Sequence, residues 1–225
     1  MSLDFDSARL PNNALTSEHH EWRAQLRRFF DREVIPYAEE WDENGAIPDE
    51  LWPKSAAVGI LGLGFPEAFG GTTEGINIWH SIILNEEMAR IAVGGIAATL
   101  MVHGIGLPPV INFGSDAIKQ MVAPPVLAGT KRISLAITEP GGGSDVAQLQ
   151  TTARLDGDHY VVNGSKTYIT GGMNANWFTT AVRTGGEGSS GISALLIPAD
   201  TEGVSRTSLD KKQGGGCSDT APIYF

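Results

Sequence analysis

Apolar side chains follow a helical period in the first part of the chain. Between residues 16 and 40, Trp22 and Leu26 begin a stripe of apolar positions spaced three or four apart, which predicts an amphipathic helix. Ser17 is the expected N-cap, because its hydroxyl can accept a hydrogen bond from the free N–H groups of the first turn. Pro36 is expected to end or kink this helix near residue 35, since proline has no N–H to donate.

The same period predicts three further helices, at residues 48–58, 76–93 and 116–123, with Ser115 capping the last. The stretch 76–93 is apolar around most of its circumference, so it should be the most buried helix. Its wetter side is expected to carry Glu86, Glu87 and Arg90.

Four histidines lie in or near these helices. His19 and His20 fall in the first turn of the first helix and are expected to be solvated rather than to form a metal pair, because no further ligands follow at a suitable spacing. His80 and His103 are expected to be buried histidines of the core or of helix ends.

After Lys131 the period changes from 3.6 residues to two. Strands are predicted at residues 151–155, 159–162, 167–170, 177–183 and 192–197. Asp156-Gly157 and Asn163-Gly164 are typical of two-residue hairpin turns. The predicted architecture is therefore α+β, with a helical domain over residues 1–130 followed by an antiparallel β-barrel or sandwich over residues 131–225.

Residues 91–115 contain no Asp, Glu, Lys or Arg, which raises the question of a membrane span. Five glycines and Pro108-Pro109 interrupt this segment, and its most apolar part, residues 91–102, is shorter than the ~20 residues that a span needs. We therefore expect a buried core segment and no membrane span.

Charge and cysteine usage narrow the function classes. The chain has 16 basic and 26 acidic side chains and a net charge of −10, which disfavours nucleic acid as a partner. Cys217 is the only cysteine, so the chain cannot form an internal disulfide, and we expect an inert thiol. With no secretory signal at the start, a cytoplasmic location is expected.

The candidate chemistry lies in residues 132–145, where a short apolar strand leads into Thr138-Glu139-Pro140 and then into three glycines, Ser144 and Asp145. Consecutive glycines can turn their N–H groups toward one anion. Taken alone, the residues leave two interpretations open, an anion-binding nest or an ordinary glycine-rich surface loop.

Further motifs downstream, taken together with residues 132–145, resemble those of a known family. The motifs are AITEPGGGSD at 136–145, NGSK at 163–166, YIT at 168–170, GISALLIP at 191–198 and CSDT at 217–220. Together they resemble the acyl-CoA dehydrogenase family, FAD-dependent flavoproteins that desaturate acyl-CoA thioesters and serve fatty acid β-oxidation. The resemblance covers nearly the whole chain, although a glycine stands at 142 and Tyr168 stands where relatives often have alanine and tryptophan.

The resemblance implies a set of cofactor-binding positions: Leu135, Ile137, Thr138, Gly143, Ser144, Tyr168, Ile169 and Thr170. Thr138 would hydrogen-bond near flavin N5, and Ser144 would also face the substrate thioester. Tyr168 and its neighbours would cover the other face and edge of the ring.

The resemblance also implies that the catalytic base lies outside these 225 residues, in a C-terminal helical bundle that the chain does not include. Glu139 and Asp145 are alternative bases, but bracing of the strand end and capping of the turn are the favoured roles. Lys166 is expected to be a solvated charge.

The sequence leaves three candidate functions for this chain. The first is α,β-dehydrogenation of an acyl-CoA, with an electron-transfer flavoprotein as electron acceptor and a homo-oligomer as the full-length form. The second is a flavin-dependent oxidase or monooxygenase of the same fold. The third is a catalytically silent fragment.

Overall fold

The computed structural model describes residue 3 and residues 5–225, and these fall into two compact units. The first unit contains the described residues up to 100 together with residues 127–130 and 213–218. The second contains residues 101–126, 131–212 and 219–225.

The described part of the first unit contains the α-helices α1 (Ser17–Glu33), α2 (Ala38–Asn44), α3 (Leu51–Ala57), α4 (Ile78–Ala89) and α5 (Gly94–Leu100). As predicted, helix α1 ends before Pro36. Pro36 itself lies in a 3-10 turn. Its N-cap is Thr16 rather than Ser17. The side chains of Leu26 and Phe30 are completely buried.

Two polar residues of this unit are buried against expectation. His19 is 3% exposed, because its Nδ1 accepts the Thr16 N–H at 3.0 Å and its Nε2 lies 3.0 Å from Asn77 Oδ1. His20 is exposed as predicted. Glu87, expected on the wetter side of α4, has no exposed surface, since arginine side chains surround it.

Two more helices, α6 (His103–Gly106) and α7 (Pro108–Phe113), lie in the second unit, which also contains α8 (Asp116–Leu127) up to residue 126. Helix α8 begins after Ser115, as predicted, but continues through Pro124-Pro125. The segment Gly94–Phe113 has the length and apolar composition of a membrane-crossing helix, and 44% of an apolar 18-residue window within it is buried. It is divided among α5, α6 and α7, and its burial agrees with a core segment over part of its length.

The strands of the second unit are β1 (Ile133–Ala136), β2 (Thr152–Asp156), β3 (His159–Asn163), β4 (Ser165–Thr170), β5 (Trp177–Arg183), β6 (Ile192–Pro198), β7 (Ser205–Arg206) and β8 (Thr220–Tyr224). They form a five-stranded sheet of order β1-β5-β2-β3, with β6 on β5, and a three-stranded sheet of order β4-β8-β7. The predicted class, helices followed by a β region, is confirmed. The larger sheet is mixed, because β1 and β2 run parallel to β5.

The two predicted hairpins have different outcomes. Asp156-Gly157 begins the turn between β2 and β3, which pair antiparallel, as predicted. The prediction at Asn163-Gly164 is wrong, because β3 pairs with β2 whereas β4 pairs with β8. The chain therefore crosses between sheets at Gly164, where φ is +148° and a Cβ would lie 2.5 Å from Thr151 Oγ1.

Candidate functional site

The end of β1 leaves polar groups without sheet partners. The strand ends at Ala136, and the Thr138 carbonyl accepts the Thr167 N–H at 2.8 Å. Within the described part of the chain, neither the backbone N–H nor the hydroxyl of Thr138 makes a hydrogen bond. Thr138 is only partly buried, so these groups are available to a ligand. We call Ile137, Thr138 and the neighbouring Tyr168 the Thr138 ledge.

The glycine loop follows the ledge directly. Glu139 and Gly142 exchange backbone hydrogen bonds of 3.0 Å in both directions, which closes the loop into a tight turn. Gly143 then returns toward the ledge, where a Cβ would lie 3.0 Å from Thr138 Cγ2. The glycines at 141–143 all have φ outside the left-handed region, so the loop does not have the alternating conformation of an anion nest. Gly143 instead keeps the Thr138 side chain approachable.

Tyr168 lies at an irregularity of β4. The register of β4 against β8 shifts between Lys166 and Ile169, and Tyr168 has a φ of +58°. A left-handed conformation is costly for a bulky residue, and bulges of this kind direct a side chain away from the sheet. The Tyr168 side chain is accordingly 65% exposed, whereas Ile169 is 3% exposed and packs in the core.

The predicted cofactor positions are thus partly assembled by the structure. Ile137, Thr138 and Gly143 lie together, and the Thr167–Thr138 hydrogen bond places the strand of Tyr168 beside them. The remaining predicted positions are Leu135 in β1, Ser144 in the exposed loop, Ile169 in the core and Thr170, which pairs with Thr220 at the end of β4.

The sequence suggested that Lys166 is a solvated charge, and this prediction is wrong. Lys166 is completely buried, and its Nζ lies 2.8 Å from Glu139 Oε1 and 3.0 Å from the Ile137 carbonyl. Burial lowers the pKa of Lys166, while Glu139 acts in the opposite direction. The only sequence signal for this role is its place in a strand, one face of which must be buried.

Glu139 has the bracing role that the sequence favoured. Its carboxylate accepts the N–H groups of Gln150 at 2.6 Å and Thr151 at 2.9 Å as well as the Lys166 ammonium. Burial by itself would raise the pKa of Glu139, but the hydrogen bonds from Lys166 and Thr151 hold it at about 2. The carboxylate is therefore ionised and occupied at neutral pH.

Asp219 is a site-supporting residue that sequence reasoning did not single out. Its carboxylate accepts the N–H groups of Met173 at 2.8 Å and Asn174 at 3.2 Å, and its carbonyl accepts the Gly171 N–H at 2.9 Å. These bonds fix the turn that follows Thr170. Burial raises the pKa of Asp219.

A cavity of about 550 Å³ also borders the glycine loop. It is lined by Pro140, Gly141, Gly142 and Asp145, among others, and by none of the predicted cofactor positions. The loop therefore has two accessible sides, and the Thr138 ledge is separate from this cavity.

Comparisons with known proteins bear on the whole chain. The family model for the acyl-CoA dehydrogenase N-terminal domain matches residues 16–130, and the model for the middle domain matches residues 134–225. The Alternaria alternata protein named acyl-CoA dehydrogenase AFT10-1 is 32% identical over an alignment of 231 positions, which covers 97% of this chain and 53% of that protein. The chain thus spans about half the length of the curated relatives that it matches.

Solved structures agree with this match. A probable acyl CoA dehydrogenase from Mycobacterium abscessus is 45% identical with a TM-score of 0.88, covering 93% of this chain and 56% of that one. An acyl-CoA dehydrogenase from Bacillus anthracis, solved with FAD, is 31% identical with a TM-score of 0.83, covering 96% of this chain and 37% of that one. FAD, the cofactor that the resemblance implied, is thus confirmed at the level of the family. The two domain models and these relatives show that the chain belongs to the acyl-CoA dehydrogenase family.

Proposed function

We propose that this chain forms the FAD-holding part of an enzyme that introduces an α,β double bond into an acyl-CoA thioester. The observation that carries the proposal is the Thr138 ledge, where a free N–H and a free hydroxyl lie at a strand end beside an exposed tyrosine. Family membership supplies the class of chemistry.

The residues of the ledge fit a flavin. A flat heteroaromatic ring with polar edges needs hydrogen-bond partners in its plane and an aromatic or apolar surface against its face. Thr138 offers the donors, Tyr168 offers the ring, and the missing Cβ of Gly143 leaves room beside Thr138. When bound, the flavin supplies the hydride acceptor.

The residues of this chain would act on charge and position. A Thr138 donor fixed in advance stabilises negative charge on the ring edge during reduction. The exposed Ser144 hydroxyl is proposed to approach the substrate thioester. Leu135, Ile137, Ile169 and Thr170 are proposed to complete the cofactor contacts.

The proton acceptor is proposed to be a carboxylate outside these 225 residues. Glu139 is a poor candidate, because three donors already occupy its oxygens. An electron-transfer flavoprotein is the proposed electron acceptor, and the complete protein is proposed to be a homo-oligomer. The 225 residues by themselves are expected to show no turnover.

The test uses the protein expressed from its whole reading frame, including any residues beyond these 225. We expect a yellow protein whose flavin absorbance is bleached by an acyl-CoA under anaerobic conditions, with an enoyl-CoA as product. A colourless preparation that takes up no added FAD would contradict the proposal. Oxygen consumption without enoyl product would instead favour the oxidase or monooxygenase chemistry.

A matched pair of variants locates the site. T138V removes the ledge hydroxyl at nearly constant volume and should weaken FAD binding about 10-fold, since a lost hydrogen bond costs ~1 kcal/mol or somewhat more. T152V makes the same change at an exposed position of β2 and should leave the affinity unchanged. Equal affinities for T138V and the unmodified protein would place the flavin elsewhere.

A further inference from the structure

Lys166 is the one charged side chain with no exposed surface in the described part of the second unit. Its ammonium has two recorded contacts, the Glu139 carboxylate and the Ile137 carbonyl. Burying a charge is costly even when it is paired, and apolar residues of similar volume often serve stability as well or better. The location of this pair therefore calls for a role beyond stability.

The contacts of the pair converge on the Thr138 ledge. Lys166 holds the carbonyl of Ile137, the residue before Thr138. Glu139, the residue after Thr138, is tied to the same ammonium and to the N–H groups of Gln150 and Thr151. Thr138 is thus fixed on both sides in sequence.

The strand that supplies Lys166 also carries the other half of the ledge. The next residue, Thr167, donates its N–H to the Thr138 carbonyl at 2.8 Å, and Tyr168 follows. Lys166 is also where the register of β4 begins to shift. One buried side chain therefore couples the strand end before the glycine loop to the bulge that exposes Tyr168.

We propose that Lys166 and Glu139 are positioning residues for the flavin, which hold the Thr138 N–H and the Tyr168 ring in one fixed arrangement. This inference rests on the proposed function, because it concerns the same ledge. Neither residue needs to touch the flavin. The pair acts through the Ile137 carbonyl and through the turn at Glu139.

The experiment compares three variants of the flavin-loaded complete protein. K166M removes the ammonium and leaves Glu139 without its cation. The double variant E139Q/K166M removes both charges. K54M is the matched control, because Lys54 pairs with Glu33 at an exposed position. FAD affinity, the visible absorbance bands of the flavin and the urea midpoint are measured for each.

A positioning role predicts that stability and flavin properties separate. The double variant should regain most of the urea midpoint lost in K166M, because no unpaired buried charge remains. Its FAD affinity should stay lower by about 10-fold or more, the range seen when outer partners of metal ligands are removed. Its flavin bands should remain shifted, and K54M should match the unmodified protein in all three measurements.

Two results would overturn the inference. One is a double variant with unaltered FAD affinity and flavin bands, which would leave the pair a purely structural role. The other is a K166M variant whose urea midpoint falls while its FAD affinity and flavin bands match those of K54M, because the pair would then stabilise the fold without positioning the ledge. Failure of the proposed function is separate, since the unmodified protein would then bind no FAD at all.

Discussion

Each unit buries a glutamate completely or almost completely, but the two are neutralised in different ways. Glu87 lies among four arginines, with Arg27 at 2.9 Å, Arg23 at 3.2 Å, Arg90 at 3.3 Å and Arg9 at 3.6 Å. Glu139 has one cation, Lys166, and two backbone N–H groups.

The two sites differ in the carboxylate partners and solvent contact that each cation would keep if the glutamate were removed. Arg27 also pairs with Asp6, Arg23 with Glu86 and Arg90 with Asp31, and all three reach some solvent. Lys166 has no other carboxylate among its recorded partners and no exposed surface. The first arrangement is a shared network that tolerates loss, whereas the second is an exclusive pair.

The largest effect is expected for E139L. This change leaves a buried ammonium with only the Ile137 carbonyl as a recorded partner, and breaking a buried pair costs about 3–5 kcal/mol. The free energy of unfolding at neutral pH, measured in urea, checks this. A loss below about 1 kcal/mol would show that the ammonium finds water or another partner.

Lowering the pH should weaken the same ion pair and reduce the free energy of unfolding, because Glu139 becomes protonated. The pKa of Glu139 is about 2 in the folded chain against an ordinary 4.5, so its contribution is present above about pH 4.5 and is lost as the pH falls toward 2. A shift of this size corresponds to about 3 kcal/mol as an upper value. The measurement is the free energy of unfolding against pH, and E139Q should show a flatter curve between pH 4.5 and 2. Parallel curves for the two proteins would contradict the assignment.

A smaller effect is expected for E87L. The arginines keep their other acidic partners, so the cost should be about 1–2 kcal/mol, below that of E139L. E21L is the control, because Glu21 is an exposed glutamate of α1. The comparison between units fails if E87L destabilises the protein more than E139L does.

Much of the fold was predictable because periodicity records local geometry. Strand β5 was predicted at its observed bounds, and the switch from helices to strands after Lys131 was correct, since each period reflects which face of an element is buried. The turn at Asn163-Gly164 was not predictable as a crossing between sheets. A glycine at this position suits a hairpin turn, but it equally suits the close packing on Thr151 that the structure shows. The sequence does not distinguish these two reasons for a glycine.

For the candidate site, the sequence predicted which residues to examine but not their backbone conformation, burial or exposure. The motif around Thr138 was recognised by resemblance, and its position at a strand end is consistent with that reading. Of the two interpretations that the sequence left open for the three glycines, the anion nest is not formed, because glycines permit a left-handed backbone without requiring it. The exposure of Tyr168 depends on a shift in strand register, which is a property of β8 as much as of β4.

The sequence by itself determined the family, the order of helices and strands, and the loop on which a cofactor is proposed to lie. Only the tertiary structure decided which polar side chains are buried. Lys166 meets Glu139 across 27 residues, His19 meets Asn77 across 58 and Arg27 meets Glu87 across 60. A local sequence pattern predicts that a polar side chain is solvated. Burial of such a side chain costs little only when a partner distant in sequence replaces its water. The sequence pattern does not identify that partner, so only the folded chain shows which polar side chains are buried.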